Sequence, residues 1–141
     1  MEIIGHKTQA LFDLWSVCHF FAGVAIGNFF TKVQRNNKTV LSYCPKSKIL
    51  PFTLTWVLAL AYSWEFIEFA MESGYAGDSV SYWLQGQEHW LNRLASDPFL
   101  VIAGYIFGFR FQPFIWPARV MLIAWLSLFV FIFPHSMGYL Q

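Results

Sequence analysis

Charge is scarce in this chain, and long stretches have none. Only 12% of the 141 residues are Asp, Glu, Lys or Arg, about half the share a soluble domain carries. A formal net charge of +1 supplies no basic surplus for a nucleic-acid partner and marks no preference for acidic substrates. Cysteine is nearly absent. Cys18 falls in an apolar segment and Cys44 in a polar one, so no disulfide framework is expected. There is no His-Glu-x-x-His zinc motif, no Gly-x-Ser-x-Gly elbow and no phosphate loop, nor any internal repeat or low-complexity tract. The first apolar run follows a polar start that includes Asp13, and no small-residue cleavage pattern comes after it. It is therefore expected to be retained rather than removed as a signal.

What is present is apolar. Hydrophobic residues make up 57% of the chain and aromatics 21%, which indicates a one-domain integral membrane protein. The expected fold is all-α, a polytopic bundle with spans at about 14–30, 49–71, 97–112 and 118–139. Residues 14–30 contain no charge and are just long enough to cross. Residues 99–111 are short for a span and need their flanks. Between the second and third spans, Ser81–Leu94 mixes aromatic and polar residues and reads as an amphipathic helix lying in the interface. Asp97-Pro98 reads as a cap followed by the first helical position. The last span is expected to kink at Pro134.

The chain is organised around Ala61–Gly74, at the end of the second apolar run. Glu65, Glu68 and Glu72 follow the spacing i, i+3, i+7 and share one helical face. Carboxylates beside lipid are costly, so such residues face a bundle interior or water. In the first span, Ser16, His19, Gly23 and Gly27 also share a face. Gly23-x-x-x-Gly27 lets another helix approach closely, most simply the glutamate face of the second span. Gly104-x-x-x-Gly108 provides a second such seam.

Orientation follows from the basic residues. Loops 31–48 and 110–119 hold seven Lys and Arg and no acid, whereas the opposite side holds two, Lys7 and Arg93. The positive-inside rule then places these loops in the cytoplasm and both termini outside, at the plasma membrane. Every carboxylate and histidine consequently falls in the outer half. The candidate site gathers His19, Glu65, Glu68 and Asp97 as catalytic or metal-ligating residues, with Arg93, Asn92 and His89 toward a substrate. Imidazole with carboxylate oxygens suits a divalent Zn, Mn or Fe ion. A metal-free acid/base pair and a purely structural network are the other uses of such a set.

Asp13 with His19-Phe20-x-x-Gly23, then Trp64-Glu65-x-x-Glu68, then Asn92, Asp97 and Gly104 resembles the VanZ-like small integral membrane proteins, closest to their YjdF-like and UPF0314-like branches. That group shows an Asp and a His-x-x-x-Gly in the first helix, a Trp/Tyr-Glu-x-x-Glu second helix and an Asp before a glycine-rich third. The resemblance covers residues 13–108. The segment from Glu88 to Pro98 departs from the usual form, and the last span shares no motif. The resemblance implies a polytopic cell-membrane protein, linked in VanZ itself to glycopeptide resistance, and supplies no reaction.

The leading expectation is an intramembrane, metal-dependent enzyme, a hydrolase acting at the outer face on a lipid or lipid-linked substrate. The alternatives are a non-enzymatic subunit of a larger membrane complex, a variant of it holding pigment or haem through His19, and a proton-coupled transporter using Glu65 and Glu68. Membrane lipids are the expected partners, with a homo-oligomer or larger complex compatible and nucleic acid excluded.

Overall fold

The computed structural model describes residues 2–27, 29, 49–84 and 86–132. The basic loop with Cys44, and Pro134, His135 and Gly138, lie outside these residues.

The chain opens with two three-residue strands, β1 (Glu2–Ile4) and β2 (Ala10–Phe12), paired in parallel with Glu2 beside Ala10 and Ile4 beside Phe12. Helix α1 (Leu14–Ile26) follows at once. Its start is set by Asp13, whose Oδ1 accepts the N–H groups of Trp15 (2.7 Å) and Ser16 (2.9 Å), while Ser16 Oγ accepts the Asp13 N–H (3.1 Å). This reciprocal box satisfies donors that a helix start otherwise leaves bare.

Helix α2 (Ile49–Glu72) buries a single stripe: Thr53, Val57, Ala61, Glu65, Glu68 and Glu72. The steps of three and four are those of one helical face. The lower part of the stripe is small and apolar, and Val57 and Ala61 pack with Val101 and Tyr105 in the core. The rest of the surface is inverted relative to a soluble protein, with Trp56, Trp64 and Phe66 all exposed.

After α2 the single amphipathic helix expected over Ser81–Leu94 is broken. Helix α3 (Asp78–Leu84) stops, and helical backbone resumes at Trp90. The reasons are local and tertiary. Gly86 sits at φ 94°, open to glycine and strained for other residues. The Glu88 N–H is drawn to Glu72 Oε2 (3.0 Å) and the His89 N–H to the Lys7 carbonyl (2.8 Å), so both donors serve tertiary contacts rather than a helical ladder.

Asp97 does not cap a helix start. A π-helical turn, Asn92–Ser96, leads without interruption into α4 (Asp97–Arg110), and Asp97 itself has helical angles, φ −71° and ψ −44°. Its N–H reaches back to the Asn92 carbonyl. Proline inside a helix lacks a donor and crowds the preceding turn, and the wider π turn lies immediately before Pro98. Such turns often sit at functional sites.

The glycine seams pair with each other. A Cβ on Gly23 would collide with the Val101 carbonyl, one on Gly104 with the Phe20 carbonyl, and one on Gly108 would lie 2.7 Å from the Val24 carbonyl. The Gly23 face thus lies on α4, not on the glutamate face of α2. Two gaps facing one another permit an approach that a glycine face against glutamate side chains does not.

A 3-10 turn, Gln112–Phe114, leads into α5 (Ile115–Ser127), which begins three residues earlier than the expected span and continues through a π turn, Leu128–Ile132. Arg119 Nε donates to the Ala25 carbonyl (3.1 Å) and so ties α5 to the end of α1, where a cation also suits the helix dipole. Among the described residues, two helices are long and apolar enough to cross a membrane, Leu50–Glu72 and Gln112–Phe131, and both are largely exposed. Helix α1 has 13 residues and α4 has 14, about 20 Å each at 1.5 Å per residue.

Candidate metal centre

Six carboxylates are buried at one end of the bundle: Asp13, Glu65, Glu68, Glu72, Glu88 and Asp97. They come from the start of α1, the last two turns of α2, the segment after α3 and the start of α4. Two fixed cations are buried with them, Lys7 and Arg93.

Both cations go to the outermost glutamate. Lys7 Nζ lies 2.7 Å from Glu72 Oε1, and an Arg93 terminal nitrogen lies 2.5 Å from Glu72 Oε2. The short β1–β2 connection carries Lys7 into this position. Arg93 is also held over the Phe69 ring, 5.2 Å from its centroid, and its remaining acidic neighbours are more distant: Glu88 at 3.6 Å and Glu65 at 4.0 Å. Glu72 is therefore not merely solvated at an interface. It is the anchor of a buried ion triad.

Deeper in, the balance reverses. His19 stands between two acids, with Nδ1 3.5 Å from Glu65 Oε1 and Nε2 3.2 Å from Asp97 Oδ2. His19, Glu65 and Glu68 each offer a ligand atom within 4.8 Å of the other two, and so do Glu65, Glu88 and Asp97. At that spacing two carboxylate charges repel by roughly 3 kcal/mol even at an effective dielectric near 20. Protons or metal cations must relieve this. Four buried oxygens accept no N–H or hydroxyl: both of Glu65, Oε2 of Glu88 and Oδ2 of Asp97. Buried polar atoms are ordinarily satisfied, and each of these two groups could hold a metal ion.

The surrounding bonds hold these acids in position. Ser16 Oγ donates to Asp97 Oδ1 (2.9 Å), and Asn92 Nδ2 donates to Glu88 Oε1 (2.6 Å) and Asp13 Oδ2 (3.3 Å). Each of Glu88 and Asp97 thus has one oxygen fixed by a neutral donor, and the two carboxyls also hydrogen-bond each other. Burial, followed by the negative charge of Asp97, Glu68 and Asp13, holds the Glu88 carboxyl well above its ordinary range. Burial also raises the Asp13 carboxyl, against the lowering effect of its bonds to Ser16 and Trp15 and of nearby Lys7.

Of the residues expected from the sequence, the structure brings together His19, Glu65, Glu68, Asp97, Asn92 and Arg93. It does not bring in His89, whose Nδ1 accepts the Leu91 N–H (3.3 Å) and whose ring stacks on Trp90. Sequence reasoning missed Glu88, Lys7, Glu72 as an anchor, and the direct roles of Asp13 and Ser16. Glu88 and Asn92 are four apart, the spacing of a helical pair, and this was the available signal. Nothing local identifies Lys7.

Beside the cluster lies a cavity of about 460 Å³ between α1, α2 and α5. Its wall is apolar, built from residues such as Trp15, Trp64, Leu60, Leu122 and Leu126, and it includes His19 and Glu68.

The described chain is thus an all-helical body, apart from its small terminal ribbon, around a buried histidine–carboxylate cluster. No family model, curated protein or solved structure matches it.

Proposed function

We propose that this protein is a membrane-embedded, metal-dependent enzyme acting on a lipid or lipid-linked substrate. The observation that carries the reading is the shared wall: the apolar cavity and the His19–Glu65–Glu68 group meet at His19 and Glu68. A volume near 460 Å³ lies within the range of roughly 300–1,000 Å³ typical of ligand pockets, and the lining suits an acyl or isoprenoid chain. Its polar linkage would then rest at the buried cluster.

In this reading His19, Glu65 and Glu68 hold a Zn, Mn or Fe ion. A bound ion supplies a water acidic enough to attack near neutral pH and polarises the bond to be broken. Asp97 orients the imidazole from its other nitrogen, as outer carboxylates commonly do for metal-bound histidine. Ser16 and Asn92 hold Asp97 and Glu88. Arg93 is committed to Glu72, and its buried Nε has no hydrogen-bond partner; the guanidinium supplies positive charge beside the cluster. The four-span topology, the outward-facing site, both termini outside the cytoplasm and the VanZ-like affinity belong to this proposal, supported by the exposed apolar faces of α2 and α5 and the basic loops.

The exposed aromatic rows Trp56, Trp64 and Phe66 on α2 and Trp116 on α5 favour a second reading, a non-enzymatic subunit docked in a larger complex. Haem is a poorer fit, because both ring nitrogens of His19 face carboxylates. A proton-coupled transporter would use the same acids without a metal.

The test is turnover. Protein loaded with Mn²⁺ or Zn²⁺ is reconstituted into vesicles of a total membrane-lipid extract, and the lipids are followed by mass spectrometry. The expected result is metal-dependent loss of one lipid class, absent with Glu68→Gln. A metal-loaded protein that alters no lipid would favour the subunit.

A further inference from the structure

The two ligand groups share one residue. Glu65 belongs to the His19–Glu65–Glu68 set and to the Glu65–Glu88–Asp97 set. We infer that the cluster is a two-ion centre bridged by the Glu65 carboxylate, the second ion held by Glu65, Glu88 and Asp97. This rests on the metal reading above and goes beyond it in number and architecture.

Three observations point to a bridge. Glu65 is 2% exposed, yet neither of its carboxylate oxygens has a hydrogen-bond partner. One oxygen faces His19 Nδ1 at 3.5 Å. The other has Arg93 Nε at 4.0 Å, beyond hydrogen-bond reach. A single ion bound through one oxygen would leave the other bare, whereas a carboxylate that bridges two ions, like one that chelates a single ion, uses both; membership of both ligand groups favours the bridge.

The second set is also prepared on its own account. Asp97 is fully buried and Glu88 nearly so. Ser16 fixes one oxygen of Asp97 and Asn92 one of Glu88. The opposite oxygens, Asp97 Oδ2 and Glu88 Oε2, accept no N–H or hydroxyl, although Oδ2 has His19 Nε2 at 3.2 Å and Oε2 has an Arg93 nitrogen at 3.6 Å; the two carboxyls also hydrogen-bond each other, which takes a proton that an ion between them would replace. The carboxylate that orients the histidine of the first ion is thus a ligand of the second, which couples the two positions.

Charge gives the third argument. With all six carboxylates ionised, Lys7 and Arg93 neutralise two. Two divalent ions neutralise the remaining four, whereas one leaves two negative charges buried. Metal pairs in such centres stand roughly 3.5–4 Å apart, and cores of helical bundles commonly supply their ligands. A carboxylate-rich set with a single imidazole favours Mn²⁺ or Fe²⁺ for the second position.

The experiment is metal content together with electron paramagnetic resonance of the full chain, purified in detergent and loaded with Mn²⁺. The expected result is two ions per chain and an exchange-coupled multiline spectrum. Glu88→Gln keeps the size of the side chain and should reduce the content to one ion with an uncoupled six-line signal. Asp97→Asn should do the same, and serves if Glu88→Gln aggregates on size exclusion. One ion per chain in the unaltered protein overturns the bridged pair and leaves the single-ion reading standing. No ion at all overturns both. Two ions that remain exchange-coupled in Glu65→Gln also remove the bridge.

Discussion

The two ends of α2 carry the same stripe in opposite chemistries. At the lower end, Val57 and Ala61 meet Val101 and Tyr105, and the neighbouring helices α1 and α4 close on each other through Gly23, Gly104 and Gly108. Burial there is satisfied by shape, as the dense packing of protein interiors requires. At the upper end the same helical face buries Glu65, Glu68 and Glu72 among three further acids, and four oxygens accept no N–H or hydroxyl. Proteins break the rules of burial at functional sites and offset the cost elsewhere. The lower half holds the helices in place, so the upper half can keep charges that would otherwise drive them apart.

Removing the clamp that ties the two cations to the upper half should have the largest effect. Glu72→Ala strands Lys7, 1% exposed, with no acid in contact. Arg93 keeps Glu88 at 3.6 Å. Breaking a buried pair costs about 3–5 kcal/mol, and the lower end of that range is expected because Arg93 retains a partner. Thermal unfolding in detergent measures it, and an unchanged midpoint would mean that Lys7 is not buried against Glu72.

A smaller loss is expected from the lower half. Gly23→Leu drives a side chain into the backbone of α4 at Val101 and Tyr105, where nothing flexible can yield. Overpacking of this kind costs about 1–3 kcal/mol. If the variant unfolds at the parent temperature, the seam is open to lipid and the comparison between the two halves fails.

The smallest effect sharpens the upper half. The Glu88 carboxyl is raised by burial and by neighbouring acids, so its protonated form persists to higher pH than in water. A metal ion must displace that proton. Apparent metal affinity should therefore rise with pH, by about tenfold per unit for each proton displaced, and weaken as pH falls. Titration of Mn²⁺ across neutral pH measures this. In Glu88→Gln the pH slope should be shallower, and an identical slope would place the proton elsewhere.

Part of this arrangement is legible in the residues alone. Helical periodicity is local, so the spacing of Glu65, Glu68 and Glu72 determined that they share a face, and the spacing of Asp97, Val101, Gly104 and Gly108 did the same for α4. Scarcity of charge within a run showed which helices are apolar enough to cross a membrane, and the cost of setting acids on such an apolar surface predicted that the glutamates turn inward. His19 and Asp97 were legible as neighbours of that face because the alternation of apolar runs and loops brings all of them to one end of their helices, at similar depth.

Only tertiary structure decided which partners meet. The sequence offers three small or polar faces and no rule for pairing them, and the seams of α1 and α4 chose each other because two facing gaps allow the closest approach. Lys7 reaches Glu72 across 65 residues, a contact that depends on where a short β-ribbon places one side chain. Glu88 joins the cluster because its segment leaves the helix at Gly86 and spends its backbone donors on α2 and the Lys7 loop. Asp97 faces inward from a continuous helix through the turn Asn92–Ser96, where the hydrogen-bond register widens ahead of Pro98. Long-range pairing is set by shape and unsatisfied charge summed over the whole bundle, and no window of sequence contains that sum.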